Sequence, residues 1–138
     1  MTEATGETPF ITAVNKVLER FSPRRKMSPA QLLTFWEQFV NAALAGYRAG
    51  WYDFDNERRI RNVIEAVLAD PGVRRFAEAG EWSRAVEEVD RRYRTILIPM
   101  ANQPSDRPWW LTGVPRYAGP ELASDLKRLH DTEVVSKA

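Results

Sequence analysis

Hydrophobic positions between Ser28 and Leu68 recur with the spacing of two amphipathic helices. In the first helix they follow one another at steps of three and four and form one broad stripe: Leu32, Trp36, Phe39, Ala43 and Tyr47. In the second helix the corresponding stripe is Ile60, Val63, Ile64, Val67 and Leu68. Stripes of this width are typical of helices that face a protein core. The pattern therefore predicts a central helical hairpin.

The ends of these two helices carry recognisable signals. Ser28 is a suitable N-cap, and Pro29 occupies the first helical position, where its missing N–H costs nothing. We expect Gly50 to end the first helix in a left-handed conformation, and Asp55 to cap the start of the second. The short connector between them makes the helices antiparallel neighbours.

The remaining pattern extends this hairpin into an all-α fold with five to six helices around it. A first helix is expected from Pro9, a short helix is expected to end at Gly80, and a longer one to run from Glu81 to about Ile98. A last helix starts at Pro120. We predict a single helical domain over residues 9–130, with flexible tails at 1–8 and 131–138.

Residues 99–120 interrupt the helical pattern, because five of the nine prolines lie there. Their aromatic content is too high for a disordered segment, so we predict an ordered non-helical strap before the last helix. The strap carries residue types that dominate protein–protein interfaces: Arg107, Trp109, Trp110, Arg116 and Tyr117. It is the first candidate interface. The competing interpretation is that these side chains only seal the helical bundle.

A second, weaker candidate interface is the connector of the hairpin, with Trp51, Tyr52, Asp53 and Asp55. Its acidic run does not fit a calcium loop, since Arg58 stands where a glycine is required and Ile64 where a glutamate is required. The competing interpretation is that Asp55 caps a helix while the aromatic residues close the end of the hairpin.

Signals for catalysis are weak. The single histidine, His130, is followed by Asp131, and such a pair can form the base half of a catalytic triad. A histidine at a helix C-terminus is equally explained by the helix dipole. The chain has no cysteine and no glycine-rich phosphate loop, so we assign no catalytic residue, no cofactor and no metal site. A carboxylate-dependent enzyme is the third hypothesis for function.

Charge and composition affect the choice of partner. The chain of 138 residues is 43% hydrophobic and 28% charged, with a net charge of +1, so no general attraction to nucleic acid or to a membrane is expected. Basic residues at Arg24–Lys26, Arg58, Arg59 and Arg61 still leave a nucleic-acid-binding accessory protein as the second hypothesis.

The leading hypothesis is a small, non-catalytic binding protein that contacts another protein, as an inhibitor, an immunity-type protein or an adaptor. Its N-terminus lacks the basic and apolar regions of a signal peptide. No apolar run reaches the roughly 18 residues that a membrane span requires. We therefore expect a cytoplasmic protein, and the preference for arginine over lysine suggests a bacterial source with a GC-rich genome.

Overall fold

The computed structural model describes residues 8–22, 26–104 and 106–137, and 63% of these residues are helical. The helices are α1 (Pro9–Leu18), α2 (Pro29–Leu44), α3 (Trp51–Glu57), α4 (Ile60–Ala69), α5 (Pro71–Arg74), α6 (Ala77–Arg94), α7 (Trp109–Thr112) and α8 (Pro120–His130). The strands are β1 (Leu97–Pro99), β2 (Gly113–Pro115), β3 (Tyr117–Ala118) and β4 (Val135–Ser136). The predicted all-α fold class is confirmed. Within the described residues, the short helices α3 and α7, which were not predicted, bring the number of helices above the five to six predicted.

Contacts along the chain define two compact units. Unit 1 contains Met1–Phe35 and Ile60–Glu88, and unit 2 contains Trp36–Arg59 and Val89–Ala138. The divisions fall inside α2 and α6, so each of these two helices contributes to both units. Within the described residues, none of the helices has the length and hydropathy that crossing a membrane requires.

Unit 1 is built on α1, α4 and α5, which pack against one another. Side-chain caps fix where two of these helices begin. The Thr8 hydroxyl accepts a hydrogen bond from the Ile11 N–H at 3.2 Å, and the Asp70 carboxylate accepts one from the Val73 N–H at 3.2 Å. The apolar stripes of the three helices meet in a core that includes Val14, Val17, Leu18, Ile64, Val67 and Val73.

Unit 2 is organised around a cluster of buried aromatic rings. The Phe39 ring lies 5.6 Å from Trp36, 5.5 Å from Tyr93 and 5.3 Å from Phe54, measured between centroids. Rings at these separations pack favourably beyond the area that they bury. The stripe predicted for the first helix of the hairpin is buried: Leu32, Trp36, Phe39 and Ala43 lie in α2, and Tyr47 follows its end.

Four short strands complete unit 2. Strand β1 pairs with β2 in antiparallel orientation, and β3 pairs with β4 in parallel orientation. Residues 99–120 are mostly non-helical, as predicted, and the single turn of α7 interrupts them. The segment 131–138, which we predicted to be flexible, contains β4, whose Val135 N–H donates to the Arg116 carbonyl at 2.8 Å. Of the predicted flexible tail 1–8, residues 1–7 lie outside the described residues.

Two predictions about the hairpin connector are wrong. The left-handed residue after α2 is Gly46, with φ of 97°, whereas Gly50 has φ of −91° and is the N-cap of α3. Gly50 is needed for close packing instead, because a Cβ atom there would lie 2.6 Å from carboxylate oxygens of Asp125 and Glu121. The connector is itself helical, so Asp55 lies inside α3 and caps no helix.

The predicted end of a helix at Gly80 is also wrong, because α6 continues through this residue. A glycine inside a helix costs about 1 kcal/mol relative to alanine. Burial of Ala79 and Trp82 on either side of Gly80 outweighs that cost, and the Trp82 indole N–H donates to the Pro29 carbonyl at 2.8 Å. Helix α6 then ends at Arg94, before the expected Ile98, because residues 97–99 pair as β1.

Candidate protein-interaction surface on helix α3

The aromatic residues of the predicted strap interface are engaged inside unit 2. The Trp110 side chain is buried, and Trp109 is half-buried with the Arg94 guanidinium 4.1 Å from its ring centroid. The hydroxyl of half-buried Tyr117 donates to the Leu44 carbonyl at 2.8 Å. These contacts agree with the interpretation that the strap seals the helical unit.

The two arginines of the strap are more accessible than its aromatic residues. Arg116 is exposed. Arg107 is half-buried, and its guanidinium donates to the Gln103 side-chain oxygen at 2.8 Å. The five strap residues therefore do not form one continuous exposed aromatic patch.

Arg58 ties the strap to α3. Its guanidinium is fully buried and donates to the Asp55 carboxylate at 3.0 and 2.7 Å. The same guanidinium donates to the backbone carbonyls of Trp110 at 3.4 Å and Gly113 at 3.2 Å. Arg58 thus holds the one-turn helix α7 and the start of β2 against α3. A buried arginine needs such a complete set of acceptors, since an unpaired buried charge is very costly.

Aromatic rings complete the environment of Arg58. Its guanidinium carbon lies 5.0 Å from the Trp51 ring centroid and 5.4 Å from that of Phe54. Both distances are within the range of cation–π attraction. Burial lowers the pKa of Arg58, while the hydrogen bonds and charge of Asp55 act in the opposite direction. An arginine pKa is so high that the side chain stays charged under all physiological conditions.

Asp55 is an ion-pair partner of two arginines. Burial alone would raise the pKa of Asp55, but hydrogen bonds from Arg58 and Arg59 outweigh burial, so this pKa lies below its ordinary value. Arg59 contacts the second carboxylate oxygen of Asp55 at 3.0 Å, and its own side chain is 42% exposed. Asp55 is therefore an anion at neutral pH and connects the buried cation Arg58 to the partly exposed cation Arg59.

The outer side of α3 is exposed. Tyr52 is 80% exposed, and the neighbouring Asp53 is also exposed. Trp51 is half-buried, and its ring centroid lies 4.3 Å from that of His130 at the end of α8. The weaker sequence candidate therefore contains a large aromatic side chain that unit 2 leaves accessible. We define the α3 surface as Trp51, Tyr52, Asp53 and Asp55.

Helix α8 fixes the position of this surface. The Trp51 N–H at the start of α3 donates to the Asp125 carboxylate at 2.9 Å, and Arg128 donates to the same carboxylate at 2.8 Å. Both hydrogen bonds lower the pKa of Asp125, and the one from Trp51 has the larger effect. A Cβ atom at position 50 would displace the Asp125 and Glu121 carboxylates, so Gly50 leaves room for the hydrogen bond between Trp51 and Asp125. The α3 surface is thus held by regular secondary structure.

His130 packs as an aromatic neighbour of Trp51. Burial has the largest effect on the pKa of His130 and lowers it. The charge of Arg58 lowers this pKa further, and the charge of Asp55 acts in the opposite direction. Its imidazole is therefore mostly neutral at pH 7. Asp131 has φ of 50° and ends α8 in a left-handed conformation. In the part of the chain that the structure describes, no hydroxyl group contacts the imidazole as a catalytic nucleophile would.

Sequence reasoning missed Arg58 as a structural residue and assigned it to a charged helix face. Its spacing from Asp55, three residues apart, was the available signal, but exposed ion pairs have the same spacing. Among the described residues, no three carboxylate or imidazole groups converge as a metal site would require. Comparisons of the chain with protein-family models, curated proteins and solved structures give no match, so the geometry alone supports the candidate surface.

Proposed function

We propose that this chain is a non-catalytic binding protein whose α3 surface contacts another protein. The observation that carries the proposal is the 80% exposure of Tyr52 on a helix that is anchored from two sides. Tyrosine is enriched in binding hot spots, and it loses little conformational entropy when it is ordered on binding. Inhibitor, immunity-type and adaptor roles in the bacterial cytoplasm all fall within this proposal.

The charge of α3 favours a basic partner. Asp53 and Glu57 are exposed on the helix, and Asp55 is an anion at neutral pH. The Tyr47 hydroxyl donates to the Glu57 carboxylate at 2.8 Å, which holds that carboxylate in place. Arg58 and Arg59 both pair with Asp55, so the negative charge that α3 presents to a partner comes from Asp53 and Glu57. A partner segment with exposed lysine or arginine side chains would complement this surface, and its association would weaken as salt increases.

The strap has a supporting role in this proposal. Through Arg58 it braces α3 from the buried side, while Tyr52 points to the side that unit 2 leaves accessible. An interface on the strap itself would have to use Arg107 and Arg116, because Trp110 is buried. This is the alternative location for the same function.

The nucleic-acid hypothesis gains less support from the structure. Of the arginines that sequence reasoning grouped for phosphate contacts, Arg58 is fully buried, and Arg61 is only 5% exposed and pairs with Glu65 at 2.9 Å. Arg24 and Arg25 lie outside the described residues. The hypothesis of a carboxylate-dependent enzyme keeps Asp53 and His130 as its candidate groups, and the described contacts bring no nucleophile to them.

Site-specific photo-crosslinking tests the proposal. A photoreactive phenylalanine analogue in place of Tyr52 should crosslink in living cells to one defined protein, and the same analogue in place of Arg116 should not. The identified partner is then purified and titrated with the unmodified protein, with Tyr52→Ala and with Arg116→Ala. We expect Tyr52→Ala to weaken binding by about 30-fold or more, as for a hot-spot residue.

The free energy of unfolding of Tyr52→Ala is the control for this experiment. Because the Tyr52 side chain is exposed, we expect the substitution to change this free energy by less than about 0.5 kcal/mol. If Arg116→Ala abolishes binding and Tyr52→Ala does not, the interface lies on the strap. If neither variant changes the affinity, the α3 surface and the strap are both excluded as the contact.

A further inference from the structure

Unit 1 contains a groove with a volume of about 600 Å³, which is separate from the residues of the α3 surface. It lies where α1 meets the turn into α5. Its polar walls are formed by Thr12, Lys16, Arg20, Asp70 and Arg75. A volume of this size is within the range of small-molecule sites in proteins, roughly 300–1,000 Å³.

Positive charge predominates in the groove, because three cations, Lys16, Arg20 and Arg75, face a single carboxylate. That carboxylate, Asp70, is already used on both oxygens. One accepts from Arg20 at 2.7 Å, and the other accepts from the Val73 N–H at 3.2 Å. In the described part of the chain, no carboxylate lies within ion-pair distance of Lys16 or Arg75.

Two of these cations make further contacts within unit 1. The Arg75 guanidinium lies 4.6 Å from the Phe76 ring centroid, and Phe76 packs edge-on against Phe10 at 5.9 Å. Arg20 pairs with Asp70 at 2.7 Å. The Thr12 hydroxyl supplies a further hydrogen-bond donor on the same wall.

We infer that this groove binds a small molecule with a phosphate monoester group, held by Lys16 and Arg75. Such a group carries nearly two negative charges at neutral pH, which matches the excess of two positive charges on the walls. Arginine and lysine form the strongest hydrogen bonds when the acceptor is an anion of this kind. Pro9, Ala13 and Val17 provide an apolar wall for the remainder of the ligand.

A nuclear magnetic resonance titration of the full-length, ¹⁵N-labelled protein with phenyl phosphate tests this inference. We expect saturable shifts of backbone signals from α1 and from residues 70–76, and smaller shifts in the same signals with inorganic phosphate, which lacks an apolar part. The double substitution of Lys16→Gln with Arg75→Gln should weaken phenyl phosphate binding by at least about tenfold. Both side chains are exposed, so the fold should persist, and circular dichroism verifies it.

Arg84→Gln is the matched control, because Arg84 is an exposed arginine of unit 1 that does not line the groove. It should leave the affinity unchanged. The inference is overturned if phenyl phosphate shifts signals from exposed cations throughout the chain, or if the double substitution leaves the affinity unchanged. Equal affinity for benzoate, which carries one charge and no phosphate, would also overturn it, as would absence of binding at about 10 mM ligand.

Discussion

Arg58→Met should destabilise unit 2 far more than the same substitution at the neighbouring Arg59. Both arginines pair with Asp55, but the Arg58 side chain is fully buried and that of Arg59 is 42% exposed. Loss of Arg58 leaves the carbonyl groups of Trp110 and Gly113 without this donor. A buried acceptor that loses its partner costs about 1–3 kcal/mol.

The expected magnitude follows from these lost contacts. Asp55 keeps its pairing with Arg59, so the main cost is that of the two carbonyl acceptors, and we expect Arg58→Met to cost roughly 2–6 kcal/mol. Arg59→Met should cost about 0–1 kcal/mol, as for an exposed ion pair. Against a typical total stability of about 5–15 kcal/mol, the first value is a large loss. Arg58→Lys should not restore stability, since Arg58 donates from three different nitrogens and the single nitrogen of lysine cannot occupy all three positions.

Urea unfolding followed by tryptophan fluorescence and circular dichroism measures both variants. A lower midpoint with an unchanged slope identifies a change in stability, as opposed to a change in the compactness of the unfolded state. Equal free energies of unfolding for Arg58→Met and Arg59→Met would refute the reasoning. Such a result would mean that Arg58 is not enclosed by the acceptors of α7 and β2.

Three further predictions follow from individual contacts and use the same unfolding assay. Gly119→Ala should cost roughly 1–3 kcal/mol, because the new Cβ would lie 2.6 Å from the Tyr47 carbonyl oxygen. Gly80→Ala should instead stabilise by about 0.5–1 kcal/mol, because a Cβ atom within α6 would meet only the Arg84 guanidinium, at an ordinary contact distance of 4.0 Å. Tyr93→Phe should stabilise the protein by about 1 kcal/mol, because the buried Tyr93 hydroxyl has no hydrogen-bond partner among the described residues. A loss of stability would contradict this prediction. The pKa of Asp55 is lowered in the folded state, so its ionised form stabilises the protein. The difference in free energy of unfolding between the unmodified protein and Asp55→Asn should therefore be complete above about pH 4 and decline as the pH falls further. A difference that does not depend on pH would contradict this prediction.

The helical core was predictable because periodicity determines which side of a helix is buried. Leu32, Trp36 and Phe39 repeat at helical spacing, and all three lie in the core. The strap was predictable in part. Its prolines exclude a long helix, but the local sequence does not show which aromatic side chain faces inward. Trp110 is buried and Trp109 only half-buried, although the two residues are adjacent.

The role of Arg58 was not predictable from local sequence. A charged residue three positions after an aspartate is usually exposed, and Arg58 is buried only because α7 and β2, more than fifty residues later, supply carbonyl acceptors. Gly50 was misassigned for a similar reason. Its contact with the carboxylates of α8 is tertiary, whereas the left-handed turn that sequence reasoning placed there occurs at Gly46.

Hydrogen–deuterium exchange of the complex with the crosslinked partner tests the central claim most directly, since it reports on the α3 surface and the strap in one experiment. Amide exchange is compared with and without the partner, peptide by peptide. The account predicts added protection in peptides that cover residues 50–57, at the α3 surface, and little change in peptides that cover residues 99–116. Protection confined to residues 99–116, with 50–57 unchanged, would contradict it.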